Sequence, residues 1–431
     1  MARRARARRC TRVRPARPAE LSRLLGVHPR KQRHVGGAHP ARVAAGAAAR
    51  SRARVAGLTS GEQRTLLAVG VLYAAVVIPI GIHKGGDFTQ ELGQSERLLH
   101  GLPLYEANPE KGIWWPPFTA LGLVPFALVA RSSLAVAKAC WAVLNVCCLG
   151  WALLLARRWT TGWRPIVLAV AAVGKPLQSN FEHLNVTPIL LGLIVATAAE
   201  LEHRREARAG GWLGIATAIK GFPALVFLYF LVRRRWRALA AGLAAAMALT
   251  VAAMLPYGPV GAVESLVRWL RLSQQGTTLG RMGTQSLAGF AFFFKWPSAW
   301  IAVAIGLCLC AVLLALRRPA RAQDSLSDIG LVTLLAVLVS PVAWLYYHTL
   351  AFPAWVAVLS RSTPDPTRPE MWRSALLWPA GILTSGILTF GLYPSWLWFI
   401  GQANYTWGSL LLLAALVIER VRRPVPVPSP T

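Results

Sequence analysis

Long apolar segments alternate with short polar stretches from Thr65 to Glu419. The apolar segments run for about 15 to 23 residues, close to the length of about 20 residues that a transmembrane helix needs. Nearly all of the charge in this part of the chain falls between them, which is the hydropathy pattern of a polytopic membrane protein. We therefore predict an all-α polytopic membrane protein, a bundle of about 10 to 12 transmembrane helices.

Composition agrees with this prediction. The 431 residues are 55% hydrophobic with a mean hydropathy of +0.45, which exceeds the usual composition of soluble domains. Five of the six cysteines lie inside apolar segments, where they pack as small apolar residues. The sequence shows no metal-ligand spacing and no glycine-rich phosphate loop, so it predicts neither a metal nor any other cofactor.

The formal net charge of +30 suggests a nucleic-acid partner at first, but half of it lies in residues 1–64. This segment is rich in Arg, Ala and Pro and too poor in aliphatic residues to form a core. We interpret it as a disordered basic cytoplasmic tail, with three open explanations: attachment to anionic lipid, a start codon assigned too far upstream, or a transit peptide. Residues 65–423 would form a single transmembrane domain, and 424–431 a short Pro-rich tail.

Arginine clusters predict the topology, because short cytoplasmic loops collect Lys and Arg. The clusters stand at Arg157, Arg158 and Arg164; Arg204, Arg205 and Arg208; Arg233, Arg234, Arg235 and Arg237; Arg317, Arg318 and Arg321; Arg361, Arg368 and Arg373; and Arg420, Arg422 and Arg423. If all of them face the cytoplasm with the tail, the first helix at about 65–83 runs outward and the loop 84–115 is external. Both termini are then cytoplasmic in this plasma-membrane protein, which we expect to be bacterial.

Two apolar segments are unusual. Residues 116–130 are short for a span and contain Pro125, so we interpret them as re-entrant or interfacial, followed by a returning helix at 134–156. Residues 211–231 have Lys220 in their middle and basic clusters at both ends, which favours two half-spans joined by an outward-facing elbow. In the alternative, both segments cross fully. Other spans are expected at 165–178, 186–202, 238–256, 298–316, 328–342, 346–360, 374–392 and 405–419.

The stretch "IHKGGDFTQELGQ" at 82–94 places Asp87 where the first helix should leave the bilayer. Gly85 and Gly86 allow a turn there, and the apolar residues that follow predict a helix lying on the membrane surface. The apolar face of that helix would contain Phe88, Leu92, Leu99 and Leu102. The simplest alternative for Asp87 is a solvated helix N-cap.

With this topology, unusual polar residues collect on the outer side, and ionisable residues at membrane depth usually mark a site. A pocket of this kind suits sugar transfer from a lipid phosphate. The phosphate needs hydrogen-bond donors such as Lys220, Arg281 or His348, and the acceptor hydroxyl needs a general base, for which Asp87 is the candidate. Considered one at a time, these residues have simpler explanations: Lys220 could extend its ammonium group to the membrane surface (snorkelling), and His348 could be an ordinary interfacial histidine.

A series of motifs from Asp87 onward resembles glycosyltransferase family 87, the polyprenol-phosphate-mannose-dependent α-mannosyltransferases with related arabinofuranosyltransferases. The motifs are "LLHGLPLY" at 98–105, "WPPFTALGLVPFAL" at 115–128, "LNVTPILLGLIVATA" at 184–198, "WLGIATAIKGFPAL" at 212–225, "TQSLAGF" at 284–290 and "SPVAWLYY" at 340–347. The resemblance implies a glycosyltransferase C-type fold, an extracytoplasmic active site and a metal-independent inverting transfer from polyprenyl phosphate. It also implies that Asp87 is the base.

In that reaction, sugar rings would be held by Tyr105, Trp115, Asn185 and Gln285. The expected partners are a polyprenyl-phosphate sugar donor, a cell-envelope glycolipid or polysaccharide acceptor, and the bilayer.

The sequence departs from the family pattern at a few positions. Glu182 and His183 replace the Gly and Gln of a turn that ends in Asn185, and Tyr346 stands where a His is usual. These departures leave the donor sugar and the acceptor open; we expect mannose in α linkage first, with arabinofuranose or another sugar as alternatives. A lipid-linked sugar flippase and a structural envelope protein are the alternatives from other classes, although internal repeats typical of transporters are not evident.

Overall fold

The computed structural model describes residues 59–105, 115–275, 284–361, 371–387 and 403–422. Within these ranges every regular element is helical, which confirms the predicted all-α class. The first helix begins at Ser60, ahead of the predicted start at 65, because Thr59 caps it and exchanges hydrogen bonds with Glu62 in a capping box. Most of the predicted tail 1–64, and the Pro-rich tail 424–431, lie outside the described residues.

The first nine α-helices are α1 (Ser60–His83), α2 (Gly86–Leu99), α3 (Pro117–Gly122), α4 (Val124–Ser132), α5 (Leu134–Ala156), α6 (Arg164–Ala172), α7 (Gly174–His183), α8 (Thr187–Glu202) and α9 (Glu206–Ile219). The others are α10 (Phe227–Val232), α11 (Trp236–Met254), α12 (Gly258–Gln275), α13 (Leu287–Phe293), α14 (Ser298–Arg317), α15 (Ser325–Val339), α16 (Phe352–Leu359), α17 (Met371–Ser385) and α18 (Asn404–Arg422). Two longer 3₁₀ segments, Phe222–Val226 and Leu345–Ala351, precede α10 and α16.

Five helical stretches among the described residues are long and apolar enough to cross a membrane: Ser60–His83, Leu134–Trp159, Trp236–Ser273, Ser298–Arg317 and Ala322–Val339. The helices α8 and α15 are buried along nearly their whole length. Their apolar residues therefore lie on several sides of each helix instead of forming one stripe. Together these features confirm a polytopic membrane bundle.

The predicted basic clusters meet at one end of the bundle, which we call the basic end. Arg233 donates to an Asp328 carboxylate oxygen at 2.7 Å and to the Arg318 carbonyl at 2.7 Å. Arg420 contacts Asp324 at 3.0 Å, and Arg235 contacts Glu206 at 2.9 Å. Further contacts join Arg361 and Arg373 to Glu419 and Arg158 to His203. Helices α9 and α11 both start from this end.

The segment 211–231 is broken where the sequence predicts. Helix α9 ends at Ile219, Lys220 is in an extended conformation, and the chain returns through Phe222–Val226 and α10 to Arg233 at the basic end. Thr119 donates to the Ile219 carbonyl at 2.7 Å and so satisfies one of the carbonyls that the end of a helix leaves open. The predicted break at Lys220 is thus confirmed, and the elbow lies at the end of α9 opposite the basic end.

Residues 116–130 form two short helices, α3 and α4, and neither is long enough to span a membrane. This agrees with a re-entrant or interfacial segment followed by α5. The predicted span 165–178 is different, because it breaks between α6 and α7 at Val173. The polar stretch after the break continues as helix α7. The amphipathic helix α12 was not predicted, because its charged residues lower its hydropathy.

Candidate active site

Asp87 lies in the first turn of α2, at the end of the bundle opposite the basic end. Gly85 joins α1 to α2 with φ at +31°, and a side chain there would collide with the Gly81 carbonyl at 2.5 Å. Only glycine suits this turn. The N-cap position of α2 belongs to Gly85, so Asp87 is not the cap residue and its carboxylate is available for contacts with other elements.

Asn185 orients the Asp87 carboxylate. The Asn185 Nδ2 donates to Asp87 Oδ2 at 2.8 Å, while the Asn185 Oδ1 accepts from the Val186 N–H at 2.8 Å. Since an amide oxygen only accepts and an amide nitrogen only donates, these two bonds fix the orientation of the amide. Tyr346 also donates a hydrogen bond to Asp87. The carboxylate is therefore held by groups from two other parts of the chain.

Glu91 lies one helical turn beyond Asp87, and it is a residue that the sequence did not single out. Its side chain is buried at 3% exposure, and its Oε2 has no hydrogen-bond partner among the described residues. Burial raises the pKa of Glu91 to about 8, with Lys220 opposing and Asp87 adding to the shift. Its i, i+4 spacing from Asp87 is the signal that places both acids on one face of a helix.

Lys220 occupies the elbow between α9 and the returning half-span. Its Nζ lies 4.0 Å from the centroid of the Trp115 ring and 5.6 Å from that of Tyr347, which is the geometry of a cation–π interaction. Its charge also acts on Glu91 and Asp87. Lys220, at 7% exposure, is thus stabilised by aromatic faces and by the nearby Asp87 carboxylate, and it does not snorkel to the surface.

Tyr105 supports the backbone of Trp115. The Tyr105 hydroxyl donates to the Trp115 carbonyl at 3.0 Å, and Tyr105 itself is fully enclosed at 1% exposure. Burial is the main reason that the pKa of Tyr105 is raised. The described contacts therefore make Tyr105 a support for the ring that faces Lys220.

Gln285 and His348 form a second group. The Gln285 N–H donates to the Ala343 carbonyl at 2.6 Å, and the His348 Nε2 donates to the Gln285 carbonyl at 2.8 Å. The His348 Nδ1 lies 2.9 Å from the Ser409 hydroxyl and accepts from it in the tautomer that the carbonyl requires. Both ring nitrogens thus have protein partners, and a phosphate contact by His348 remains a prediction that requires one of these bonds to be exchanged.

The eight predicted site residues therefore divide into three sets. Asp87, Asn185, Lys220 and Trp115 come together around Glu91, with Tyr105 behind Trp115. Gln285 and His348 form the neighbouring group, and Arg281 lies outside the described residues. Glu91, Tyr346 and Tyr347 are additions that the structure makes. The described residues contain no cluster of His, Cys, Asp or Glu arranged to hold a metal.

The apolar face of α2 also differs from the prediction. Phe88 and Leu92, which were predicted to face the membrane, are buried inside the protein, whereas Leu99 and Leu102 are exposed. Leu102 follows the end of α2, so the apolar face is shorter than the spacing suggests. Phe88 stacks on Trp141 with ring centroids 5.4 Å apart, which fixes the first turn of α2 against α5 and so positions Asp87.

The arrangement has the chemistry of a group-transfer site. A carboxylate is held by two hydrogen-bond donors, a buried ammonium group lies close enough to interact with it, and aromatic rings line the same space. A carboxylate of this kind can accept a proton, and a buried cation can stabilise negative charge on a departing group.

Known proteins are similar to the chain over most of its described length. A family model described as Glycosyltransferase family 87 matches residues 114–341. That range includes Trp115, Asn185, Lys220 and Gln285 and begins after Asp87. No solved structure matches the chain.

Two curated relatives illustrate the range of activities. A polyprenol-phosphate-mannose-dependent alpha-(1-2)-phosphatidylinositol pentamannoside mannosyltransferase of Mycolicibacterium smegmatis is 28% identical over 316 residues, which is 70% of this chain and 74% of the relative. An alpha-(1->3)-arabinofuranosyltransferase of Corynebacterium glutamicum is 24% identical over 358 residues, which is 73% of this chain and 82% of the relative.

Proposed function

This chain belongs to glycosyltransferase family 87, whose model covers more than half of its length, and on that premise we propose its donor, its acceptor and the roles of its residues. It is a membrane glycosyltransferase. The donor is a polyprenyl-phosphate sugar, with mannose as the first candidate, and the acceptor is a cell-envelope glycolipid or glycan. The mannosyltransferase relative supports both assignments, and the arabinofuranosyltransferase relative supports arabinofuranose as the second candidate sugar.

Asp87 acts as the general base in this proposal. Its carboxylate takes the proton of the acceptor hydroxyl, the acceptor oxygen forms the bond to the anomeric carbon, and the bond from that carbon to the phosphate oxygen breaks. The electron pair leaves with the polyprenyl phosphate, so the anomeric configuration inverts. The hydrogen bonds from Asn185 and Tyr346 support this role, because they hold the carboxylate in a fixed orientation.

Lys220 stabilises the negative charge that develops on the departing phosphate. The proposal rests on its position over Trp115 and its electrostatic interaction with Asp87 and Glu91. In a site with little water, a fixed cation contributes far more than it would in solution. Trp115, Asn185 and Gln285 are proposed to contact sugar rings, with Tyr105 holding Trp115 in place, and Arg281 and His348 are proposed as further phosphate donors.

The active site faces the extracytoplasmic side in this proposal, with the basic end and both termini in the cytoplasm. The contacts that bring the arginine clusters together at the opposite end support it, because basic loops remain on the cytoplasmic side. The polyprenyl tail of the donor then stays in the outer leaflet. No metal or other cofactor takes part.

The substitution Asp87→Asn tests the function directly. Removal of a general base should lower the transfer rate by about 10²- to 10⁴-fold, measured with radiolabelled polyprenyl-phosphate mannose in membranes that contain equal amounts of protein. The matched control is Glu96→Gln on the same helix, because Glu96 pairs with Arg131 at 2.8 Å near the surface. Transfer by Asp87→Asn at the rate of the control would refute the assignment of the base.

The same assay separates the enzyme from a flippase. An enzyme produces a new labelled glycolipid or glycan, whereas a flippase only moves the donor across the bilayer and leaves it chemically unchanged. Parallel reactions with polyprenyl-phosphate arabinose distinguish the two candidate sugars. A membrane that translocates the donor without forming a labelled product would contradict the proposed transfer.

A further inference from the structure

A basic pocket lies at the end of the bundle remote from Asp87. It has a volume of about 670 Å³ and lies between the turn that joins α8 to α9 and the turn that joins α10 to α11. Its walls include Arg204 and Arg208 from the first turn and Arg234 and Arg237 from the second. Nothing in the transfer reaction uses this pocket, because α9 runs from it to Lys220 at the other end.

The two turns have the same backbone conformation. Arg204 has φ at 59° and Arg234 has φ at 53°, and each turn closes with a hydrogen bond that spans five residues. The Arg205 N–H donates to the Glu200 carbonyl at 2.9 Å, and the Arg235 N–H donates to the Phe230 carbonyl at 2.8 Å. Such turns usually have glycine at the left-handed position, so an arginine there has an unfavourable backbone conformation. The turn fixes the positions from which the two arginine side chains leave the backbone.

The helices that follow the turns approach each other very closely. A side chain at Gly210 would lie 2.0 Å from the Ala238 carbonyl, and one at Gly242 would collide with the Phe227 ring at 2.4 Å. The first turns of α9 and α11 are therefore neighbours, and the open N–H groups of both helices contribute partial positive charge at the same place. The arginines of the pocket surround this place.

The positive charge of the pocket is not neutralised by nearby acids. Glu206 is engaged by Arg235 at 2.9 Å, and Glu200 by Arg205 at 3.7 Å. Among the described residues, no acid pairs with Arg204, Arg208, Arg234 or Arg237. Four guanidinium groups thus line the pocket without an acidic partner among the described residues, and Glu206, which also lines it, is already paired with Arg235.

The pocket opens onto the apolar outer surface of α11. Trp236 lines the pocket and is also 57% exposed, and Leu243 and Met247 are 50% and 68% exposed. These three residues follow one another at helical spacing on one face of α11, and α11 lies in a stretch apolar enough to cross a membrane. The face that begins at the pocket is therefore in contact with lipid chains.

We propose that this pocket binds an anionic phospholipid. The phosphate of the headgroup is held by Arg204, Arg208, Arg234 and Arg237, and one acyl chain lies along Trp236, Leu243 and Met247. Basic pockets between transmembrane helices are suited to lipid phosphates, and Arg pairs with phosphate through parallel hydrogen bonds. The apolar face favours a lipid over a free phosphate ion, which would gain nothing from it.

Native mass spectrometry of the full-length protein tests the proposal. Protein reconstituted with equal amounts of phosphatidylglycerol and phosphatidylcholine should retain the anionic lipid at least about tenfold better, which corresponds to about 1.4 kcal/mol. Replacing Arg204, Arg208, Arg234 and Arg237 with Gln should abolish that preference. The matched control replaces four exposed arginines elsewhere, Arg64, Arg164, Arg271 and Arg317, and should keep it. Equal loss in both variants would overturn the proposal, since only the total charge would then matter.

A second measurement uses the unmodified sequence and so does not depend on the folding of a variant. Phosphatidylglycerol that carries a photoreactive group near its headgroup should cross-link to peptides containing 204–208 and 234–243. Cross-links spread evenly over all basic loops would reject a defined site. Added glycerol 1-phosphate should not compete, and displacement of the lipid by it at equal concentration would show that the pocket binds a free anion instead.

Discussion

At the residue scale, the carboxylate of Asp87 depends on donors from distant positions. Asn185 and Tyr346 hold it, and Lys220 supplies opposite charge nearby. Glu91 is different, because it has an open carboxylate oxygen and little exposure. At neutral pH a glutamate with a pKa of about 8 is mainly protonated. The site therefore places a protonated glutamic acid one helical turn from Asp87.

Glu91 gives stability a defined pH dependence. Because the pKa of Glu91 is raised in the folded protein, its contribution to stability is fully present below the ordinary glutamate pKa and is lost as the pH rises through about 8. We expect the Tm of the wild type to fall more between about pH 5 and pH 9 than the Tm of Glu91→Gln. Thermal unfolding in detergent at several pH values measures this.

The control for Glu91 is Glu96→Gln. Hydrogen bonding to Arg131 lowers the pKa of Glu96, so its removal should not flatten the fall toward alkaline pH. If Glu91→Gln and the wild type lose Tm in parallel, Glu91 does not carry the buried proton that we assign to it.

Some site residues can be identified from the sequence, and others cannot. Asp87 and Lys220 are visible because charged residues at membrane depth are rare. Glu91 cannot be identified in this way, because on a helix lying at the membrane surface it looks like an ordinary solvated acid until its burial inside the protein is known. Nothing in the sequence indicates that the Asn185 amide meets Asp87, since the contact joins positions 98 residues apart.

At the element scale, glycines decide how closely α9 and α11 approach. A side chain at Gly210 would meet the Ala238 carbonyl at 2.0 Å, whereas one at the adjacent Gly211 would meet nothing within 4 Å. These neighbouring positions differ only in which face of α9 they occupy. The same pair of helices carries the elbow at one end and the basic pocket at the other.

This difference predicts that replacing glycine with alanine has opposite effects on stability at the two positions. Gly210→Ala should lower the stability by about 1–3 kcal/mol, because the helices must separate. Gly211→Ala should leave it unchanged or raise it by about 0.5–1 kcal/mol, because alanine is the better helix former. Thermal unfolding of both variants in the same detergent is the measurement. Equal Tm values would mean that the close approach of the two helices is not required for stability.

Elements differ in how well the sequence predicts them. The break at Lys220 is predictable, because Lys220 and Pro223 interrupt an apolar segment that has basic residues at both ends. The break between α6 and α7 and the helix α12 are not. In both cases the helical segment contains polar residues, which a hydropathy pattern assigns to a loop. Only the packing of the folded chain shows that these residues are helical.

At the scale of the whole molecule, charge distribution separates the two ends. The arginine clusters that the sequence places in separate loops meet at one end, where they pair with Asp324, Asp328 and Glu419. The candidate active site lies at the other end. The sequence could predict which end is basic, because the net charge of each loop can be counted from its residues. The ion pairs between different loops could not be predicted, because they depend on how the bundle folds.

Cysteine labelling tests the polarity. In a variant whose native cysteines are replaced, Gly93→Cys on α2 should react with a membrane-impermeant maleimide in intact cells. Ala320→Cys at the basic end should react only after the membrane is permeabilised, since basic loops remain cytoplasmic. Both positions are exposed. Labelling of Ala320→Cys in intact cells, with Gly93→Cys protected, would reverse the proposed orientation.

The hydrogen bonds of Asp87 also have a consequence for biosynthesis. Asp87 is synthesised roughly 260 residues before Tyr346, which at about 5–20 residues per second is a delay on the order of 10–50 s. During that interval the nascent chain has its carboxylate but lacks one of the two donors that orient it. The proposed base therefore acquires its full set of hydrogen bonds late in translation, and a chain that terminates early inserts its first helices without completing the candidate active site.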